Sequence, residues 1–390
     1  MKDSHCDSKN AAQIYAVGLF PGLLGDGGIQ EAARHSAAAL DQIARRNHHR
    51  TCFLSLNDSE GMHSVATDDT KICFRGFARD KFRFVVATIR AARQASAHRS
   101  RFSPLLLAAH PNLAIPAAIA RLFSPRCNLV VQSHGIEVWR PLSLLRRRAL
   151  ASAPLVLAPS RHTARQLSTV QRIPESRITV LPWPLGSDFF NFAACPGKLP
   201  LPRGFPAGRV ILTVGRLDSG ERYKGTDELI LAFSQLRASF PDLHLAIVGR
   251  GSDLPRLRQF ATDLGLSEFV HFFGGLSREA LAACYAHAEI FALPSMGEGF
   301  GLVFLEAMAF GKPLVAVAAG GATDLVQDGI NGLLVAPQDP LRLTAALSRL
   351  LNESELRINL GRGGVECVRR LHRFDVFVSD LDQTISARLK

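Results

Sequence analysis

Glu298 and Glu306 stand eight residues apart in the run Glu-Gly-Phe-Gly-Leu-Val-Phe-Leu-Glu. A carboxylate is an acceptor-only group, suited to gripping the hydroxyls of a sugar or a ribose diol. The apolar run Ala288–Pro294 ahead of the pair predicts a buried strand. The apolar spacing over Leu302–Phe310 predicts a helix. Between them a strand ends, a loop turns at Gly299, Phe300 and Gly301, and a helix begins at Leu302. A helix start presents unpaired N–H groups and positive partial charge, which suits a diphosphate. Gly299 and Gly301 permit close approach of backbone to a ligand. The layout suits a sugar nucleotide, with diphosphate on the helix end, ribose on Glu306 and sugar near Glu298.

Other groups fall at strand ends in the same way. Gly215-Arg216-Leu217 follows the apolar run Val210–Val214, and Tyr223-Lys224-Gly225 comes shortly after. Arg216 and Lys224 are expected to reach one anion and to neutralise a leaving diphosphate without a metal. In the first half, Gly25-Asp26-Gly27-Gly28 opens a helical pattern over Ile29–Leu40. It is not G-x-G-x-x-G, and a plain tight turn explains Gly27 and Gly28 equally well. His134 follows the run Leu129–Gln132, where it either meets a sugar hydroxyl or caps its loop. His110 is a weaker case of the same kind. The glycines at 249 and 251, 274 and 275, and 320 and 321 either line a ligand or form ordinary turns. Asp380-Leu381-Asp382 has D-x-D spacing but falls on an expected terminal helix, and no metal site is expected.

The elements that must position these groups alternate between apolar runs and helical patterns. Ile14–Phe20, Thr51–Leu56, Leu105–Ala109, Leu129–Gln132, Leu155–Ala158 and Thr179–Leu181 read as strands of one half. Val210–Val214, His244–Val248, Val270–Phe273, Ile290–Leu293 and Leu314–Ala318 read as strands of another. Such alternation predicts an α/β protein with parallel sheets covered by helices. We expect a first domain over residues 1–194, a Pro- and Gly-rich linker over 195–208, a second domain over 209–373 and a terminal helix over 374–390. Two doubly wound domains facing each other across a cleft would bind ligands at the carboxyl ends of their strands.

Bulk properties narrow the class. The 390 residues, 47% apolar and 21% charged, allow two or three ordinary domains. The seven cysteines are scattered without a C-x-x-C pair, which points to reduced thiols, a cytoplasmic setting and no structural zinc. No run reads as a transmembrane helix. Residues 1–200 hold 26 Lys and Arg against 13 Asp and Glu, so the excess of +12 belongs to the first half. Lys71–Arg101 and Arg146–Arg148 are its densest parts, and Phe74, Phe77, Phe82, Phe84 and Phe102 are interleaved in the former. Docking to an anionic membrane surface, peripheral on the inner face of the cytoplasmic membrane, is expected ahead of a solvated basic face. Nucleic-acid binding ranks below both.

Together these residues resemble the retaining glycosyltransferases of family GT4, which have the GT-B fold of two Rossmann-like domains. The most specific element is the E-x7-E motif from Glu298 to Glu306, supported by Gly215-Arg216-Leu217, Lys224-Gly225 and Gly320-Gly321. The resemblance implies that Arg216 and Lys224 bind the donor diphosphate and that Glu306 binds the ribose. It places Glu298 near the donor sugar or the phosphate end, with backbone at Phe300-Gly301-Leu302 holding both. His134 would match the family's active-site His, and Gly27-Gly28 the loop facing the reaction centre. Two departures are Pro182-Trp183-Pro184 where Asn-Gly is frequent, and Asp324 where Glu is frequent. The expected activity moves a hexose from a UDP- or GDP-sugar to a saccharide or lipid-linked acceptor with retention. No cofactor is expected beyond that donor substrate. The setting would be polysaccharide or lipopolysaccharide synthesis. An epimerase or phosphorylase on the same fold, and a basic non-enzymatic adaptor for nucleic acid, are the alternatives.

Overall fold

The computed structural model describes residues 13–25, 27–67, 70–97 and 103–389. Asp26 of the glycine loop, and Arg99, Arg101 and Phe102 of the basic stretch, lie outside the described residues. The chain forms two compact units, each built on its own sheet.

The first unit holds eight strands. They are β1 (Ile14–Phe20), β2 (Arg50–Ser55), β3 (Gly61–Thr67), β4 (Thr70–Gly76), β5 (Leu105–Ala108), β6 (Asn128–Gln132), β7 (Leu155–Ala158) and β8 (Ile178–Val180). Their order in the sheet is β3-β4-β2-β1-β5-β6-β7-β8. Only β3 runs antiparallel to its neighbour. The central strands are buried along their length, as continuous apolar runs such as Leu105–Ala108 require when helices cover both faces. Helix Gly28–Arg46 lies against β1 and β2 through small residues, among them Ala33, Ala37 and Ala44, which let it approach the sheet closely.

The hairpin β3–β4 is absent from the sequence reading and changes how the basic stretch behaves. Along β4, Lys71, Cys73 and Arg75 are exposed while Ile72 and Phe74 are buried. This is the period-2 alternation of a half-buried strand. Phe77 and Phe84 then meet edge to face at 5.4 Å inside the core. Three of the described phenylalanines in the basic stretch are therefore core, and only Phe82 is exposed.

The second unit holds β9 (Arg209–Val214), β10 (Leu243–Val248), β11 (Val270–Gly274), β12 (Ile290–Leu293), β13 (Leu314–Val317) and β14 (Gly332–Val335). They form an all-parallel sheet ordered β11-β10-β9-β12-β13-β14. The core carries Ile211, Leu245, Ile290 and Val315 from the strands and Leu229, Phe233 and Leu347 from the helices.

The chain crosses between units away from the Pro- and Gly-rich segment. Residues 182–376 and the short piece 159–163 belong to the second unit, and residues 377–390 return to the first. The segment 195–208 therefore lies inside the second unit instead of joining the two. Helix Ser187–Ala194 ahead of it explains why. Phe189 is fully buried and meets Tyr285 and Phe310 edge on, at 6.3 and 6.5 Å. Asp188 pairs with Arg278, whose guanidinium also lies 5.0 Å from the Phe189 ring. An aromatic anchor of this size outweighs the local turn composition.

Candidate functional site

Chain order and spatial order part company in the second sheet between β9 and β12. From β9 the chain builds outward through β10 and β11, and from β12 it builds the other way through β13 and β14. At such a switch point the loops leaving the carboxyl ends diverge and open a crevice, the usual ligand position of an open α/β sheet. The loop after β9 carries Arg216 and Lys224, and the loop after β12 carries Glu298 to Gly301. β9 and β12 are hydrogen-bonded neighbours, so topology alone brings these residues together.

Lys224 Nζ donates to Glu298 Oε1 at 2.7 Å, with both side chains nearly buried, at 13% and 12% exposure. Tyr223 lies under the pair, its ring 5.8 Å from the ammonium. The Met296 amide donates to the Tyr223 carbonyl at 2.7 Å and ties the two loops together. Burial pushes the Tyr223 phenol up to about 12, with Glu221 and Glu298 adding to the effect, so it stays a neutral donor. Arg216 pairs at 2.5 Å with Glu221 and keeps most of its side chain in solvent. Each cation thus has its own carboxylate partner.

Helix Leu302–Ala309 starts where the sequence spacing places it. Its cap is Gly301 at φ 97°, a left-handed conformation that a side chain disfavours. Glu306 sits one turn inside. It accepts from the hydroxyl of the wholly buried Tyr285 at 2.8 Å. Burial, then the charge of Glu306, raises the Tyr285 phenol well above its ordinary range, so it remains a donor and fixes one oxygen of the carboxylate.

The glutamate loop is held from two sides. Gly321 donates its amide to the Glu298 carbonyl at 2.6 Å. A Cβ at 321 would lie 2.4 Å from the Gly299 oxygen, so only glycine admits this contact. On the other side Ser160 Oγ donates to the Gly299 carbonyl at 2.8 Å, and Thr163 Oγ1 lies 3.4 Å from the same oxygen. Asp324 accepts from the Arg161 amide at the start of helix Arg161–Thr169. The aspartate in place of the frequent glutamate therefore caps a helix. Sequence reasoning missed Ser160, Thr163 and Tyr285. Ser160 had a signal, since a serine just past the strand run 155–158 and Pro159 is a preferred residue type for a helix N-cap. Tyr285 had none, because its partner is distant in sequence.

The first sheet has its own switch point, between β1 and β5. Gly27, exposed at φ 138°, caps helix Gly28–Arg46 after β1. The loop ahead of it is fastened to the buried Asp58 carboxylate, which accepts from the Leu23 amide at 2.7 Å and Ser55 Oγ at 2.6 Å. Arg34 donates to the Leu23 and Gly25 carbonyls from the helix side. After β5 comes His110, and after β6 comes His134; their rings stack at 5.6 Å. His134 Nε2 donates to the Ala109 carbonyl at 2.7 Å, and its amide donates to Glu137 at 2.5 Å. His110 Nδ1 accepts from the Asn112 amide at 3.1 Å, which requires that nitrogen to be unprotonated. Burial first, and the neighbouring His134 second, pull His110 down to about 4. Sequence reading ranked His110 below His134, and the structure makes them one unit.

Among the described residues no cluster of three or more His, Cys, Asp or Glu could hold a metal ion. Asp380 and Asp382 lie on the terminal helix Phe374–Arg388. No described helix is long and apolar enough to cross a membrane.

Residues 27–185 match the family described as Glycosyltransferase Family 4, and residues 204–366 match that described as Glycosyl transferases group 1. A GDP-mannose-dependent alpha-(1-6)-phosphatidylinositol monomannoside mannosyltransferase of Mycolicibacterium smegmatis is 36% identical over 65% of this chain and 68% of its own length. A D-inositol 3-phosphate glycosyltransferase of Acidothermus cellulolyticus is 36% identical over 58% of this chain, which spans about half (53%) of that relative. Among solved structures, Anabaena Alr3699/HepE in complex with UDP superposes with a TM-score of 0.72 at 19% identity, over 96% of this chain and 100% of that one.

Proposed function

This chain belongs to the family 4, group 1 glycosyltransferases with the GT-B fold, and we propose that it moves a hexose from a UDP- or GDP-sugar to a saccharide or lipid-linked acceptor with retention at the anomeric carbon. The observation that carries this reading is the Lys224–Glu298 pair at the β9/β12 switch point. A cation beside a helix start, with a second carboxylate one turn inside that helix, has the three features a sugar nucleotide needs.

In this reading the donor diphosphate occupies the start of helix Leu302–Ala309, with backbone from Gly299 to Leu302 around it. Lys224 exchanges Glu298 for a phosphate oxygen, and Arg216 swings in from solvent. The ribose diol donates to Glu306, which Tyr285 already orients. Glu298, released from Lys224, accepts from donor sugar hydroxyls. Reaction breaks the bond between the anomeric carbon and the phosphate oxygen, so negative charge grows on the diphosphate. Lys224, Arg216 and the helix start stabilise that charge where it develops. The acceptor oxygen attacks the same face of the sugar, and its proton passes to the departing phosphate oxygen. No protein nucleophile is assigned. His134, held by Ala109 and stacked on His110, is proposed to meet a sugar hydroxyl, and Gly27 and Gly28 to line the reaction centre.

The mannosyl-phosphatidylinositol acceptor in the name of the first relative supports an acceptor carried on lipid. The setting we propose is cell-surface glycan assembly, lipopolysaccharide and polysaccharide included, at a membrane surface. Epimerase and phosphorylase readings gain nothing from the site, which has groups for a leaving diphosphate but no observation favouring free phosphate as acceptor. The test is product analysis. Purified protein is incubated with UDP- and GDP-hexoses and a panel of lipid-linked acceptors, and the new anomeric linkage is read by NMR. An α-hexoside from an α-donor supports the reading. An inverted product, or an epimerised donor with no transfer, contradicts it.

A further inference from the structure

The loop after β10 lies along the loop after β9, backbone to backbone. The Leu217 amide donates to the Arg250 carbonyl at 2.9 Å, and the Asp253 amide donates to the Leu217 carbonyl at 2.8 Å. The glycines at 249 and 251 are needed here, since a Cβ at the first would run into the Gly215 carbonyl and a Cβ at the second into the Leu217 carbonyl. Helix Leu254–Asp263 starts directly beyond this seam and carries Arg256. Arg256 grips two carboxylates at once. Its Nε and Nη2 donate to Asp253 at 2.8 and 2.5 Å, and its Nη1 and Nη2 donate to Asp227 at 2.6 and 2.8 Å. Asp253 is nearly buried and also accepts from Arg222 Nη2 at 3.2 Å. The Arg256 hydrogen bonds hold its carboxyl below the usual carboxylate range, so it stays charged. In the chain, Arg222 stands two residues before Lys224, and Asp227 stands three residues after it, in the first turn of helix Thr226–Leu236. The network therefore closes on the Lys224 segment from both sides.

We infer that Arg256 is a positioning residue for the donor site: by holding Asp227 directly and Arg222 through Asp253, it fixes the segment between them and aims Lys224 at the diphosphate. An isolated surface ion pair contributes little, because solvent screens it and two flexible side chains must be ordered to make it. Arg256 differs on both counts. One of its carboxylates is nearly buried, and the planar guanidinium meets each carboxylate with two hydrogen bonds, which sets direction as well as charge. A lysine at 256 would supply the charge without the two forks. Such aim matters because a group that stabilises developing charge must be held within about 0.5 Å of its productive position. The inference rests on the proposed donor site for what Lys224 does there, and the clamp itself is readable without nucleotide.

The experiment combines two readouts on the full chain. The first is calorimetric titration with UDP and GDP of the wild type, Arg256→Gln, Arg256→Lys, Asp227→Ala and Lys224→Ala/Arg256→Gln. Arg256→Gln should weaken binding of the nucleotide that the wild type takes by about 10-fold, the worth of one misaligned charge-assisted hydrogen bond. Arg256→Lys should not restore it. In the Lys224→Ala background the same Arg256→Gln change should cost less than about 2-fold, because residues that act through one another are not additive. Asp227→Ala breaks one arm of the clamp and leaves the nearly buried Asp253 paired, so it gives the same test if Arg256→Gln folds poorly. The second readout is acetylation by N-hydroxysuccinimidyl acetate without nucleotide, followed by mass spectrometry. Lys224 should be protected relative to the exposed Lys198 in the wild type and lose that protection in Arg256→Gln and Asp227→Ala. Equal losses of affinity with and without Lys224, full restoration by Arg256→Lys, or Lys224 labelling unchanged in both variants overturns the inference. A wild type that binds neither nucleotide, with Lys224 labelling that rises in the variants, would remove the proposed donor site and leave the clamp on Lys224 standing.

Discussion

Lys224 and Glu298, 74 residues apart, meet at 2.7 Å at the one place in the second sheet where strand order reverses. Neither residue is remarkable in its own loop. The pairing of β9 with β12 places the two loops side by side, and burial makes the contact matter energetically. In the function we propose, the ammonium that stabilises the leaving diphosphate is held by the carboxylate that receives the sugar.

Lys224→Ala and Glu298→Ala are each expected to lower kcat/KM by about 100-fold or more, as when one transition-state donor is removed. Stability should separate the two roles. Lys224→Ala leaves a nearly buried carboxylate without its cation, whereas Lys224→Met/Glu298→Gln removes both charges. The double variant should therefore recover much of the Tm lost by Lys224→Ala while remaining inactive. Near-normal turnover in either single variant contradicts the assignment.

Gly321→Ala tests how the glutamate loop is held. The added methyl would meet the Gly299 carbonyl at 2.4 Å, so either that loop or the 320–321 turn must shift. Overpacking of this kind costs about 1–3 kcal/mol. Nucleotide affinity and turnover should fall while circular dichroism stays that of the folded protein. A variant with unchanged donor affinity would show that the loop position does not govern binding.

Much of this arrangement was legible in the chain. Parallel central strands in an α/β protein are continuous apolar runs, and 290–293 or 155–158 can be read directly from such runs. Glu298 and Glu306 were readable because a strand, a glycine turn and a helix follow one another within a few residues. What was hidden depends on distant partners. The hairpin β3–β4 escaped because Met62-His63-Ser64 is barely apolar and Lys71 to Arg75 reads as charge. The Pro and Gly content of 195–208 suggested a junction, yet Phe189 binds the preceding helix into the second unit. Tyr285 supports Glu306 across 21 residues with no local pattern to announce it.

His110 predicts a pH dependence of stability. Its folded value of about 4 lies below the ordinary 6.5, so the unfolded chain binds the proton more readily. The stabilisation is present above about pH 6.5 and is lost progressively as pH falls toward 4. At pH 5 the loss amounts to about 2 kcal/mol relative to neutral pH. His110→Asn should flatten the Tm profile between pH 7 and pH 5 compared with the wild type. Profiles that remain parallel would show that His110 is not held neutral by its surroundings.

The central claim is a donor site built on Lys224 at the β9/β12 switch point. Calorimetric titration of the wild type and of Lys224→Ala with UDP and GDP, in the presence of EDTA, tests it most directly. The account predicts that one of the two nucleotides binds the wild type and that Lys224→Ala weakens this binding by about 10-fold or more, the worth of a charge-assisted hydrogen bond. Binding of neither nucleotide to the folded protein, or binding indifferent to Lys224, would contradict it.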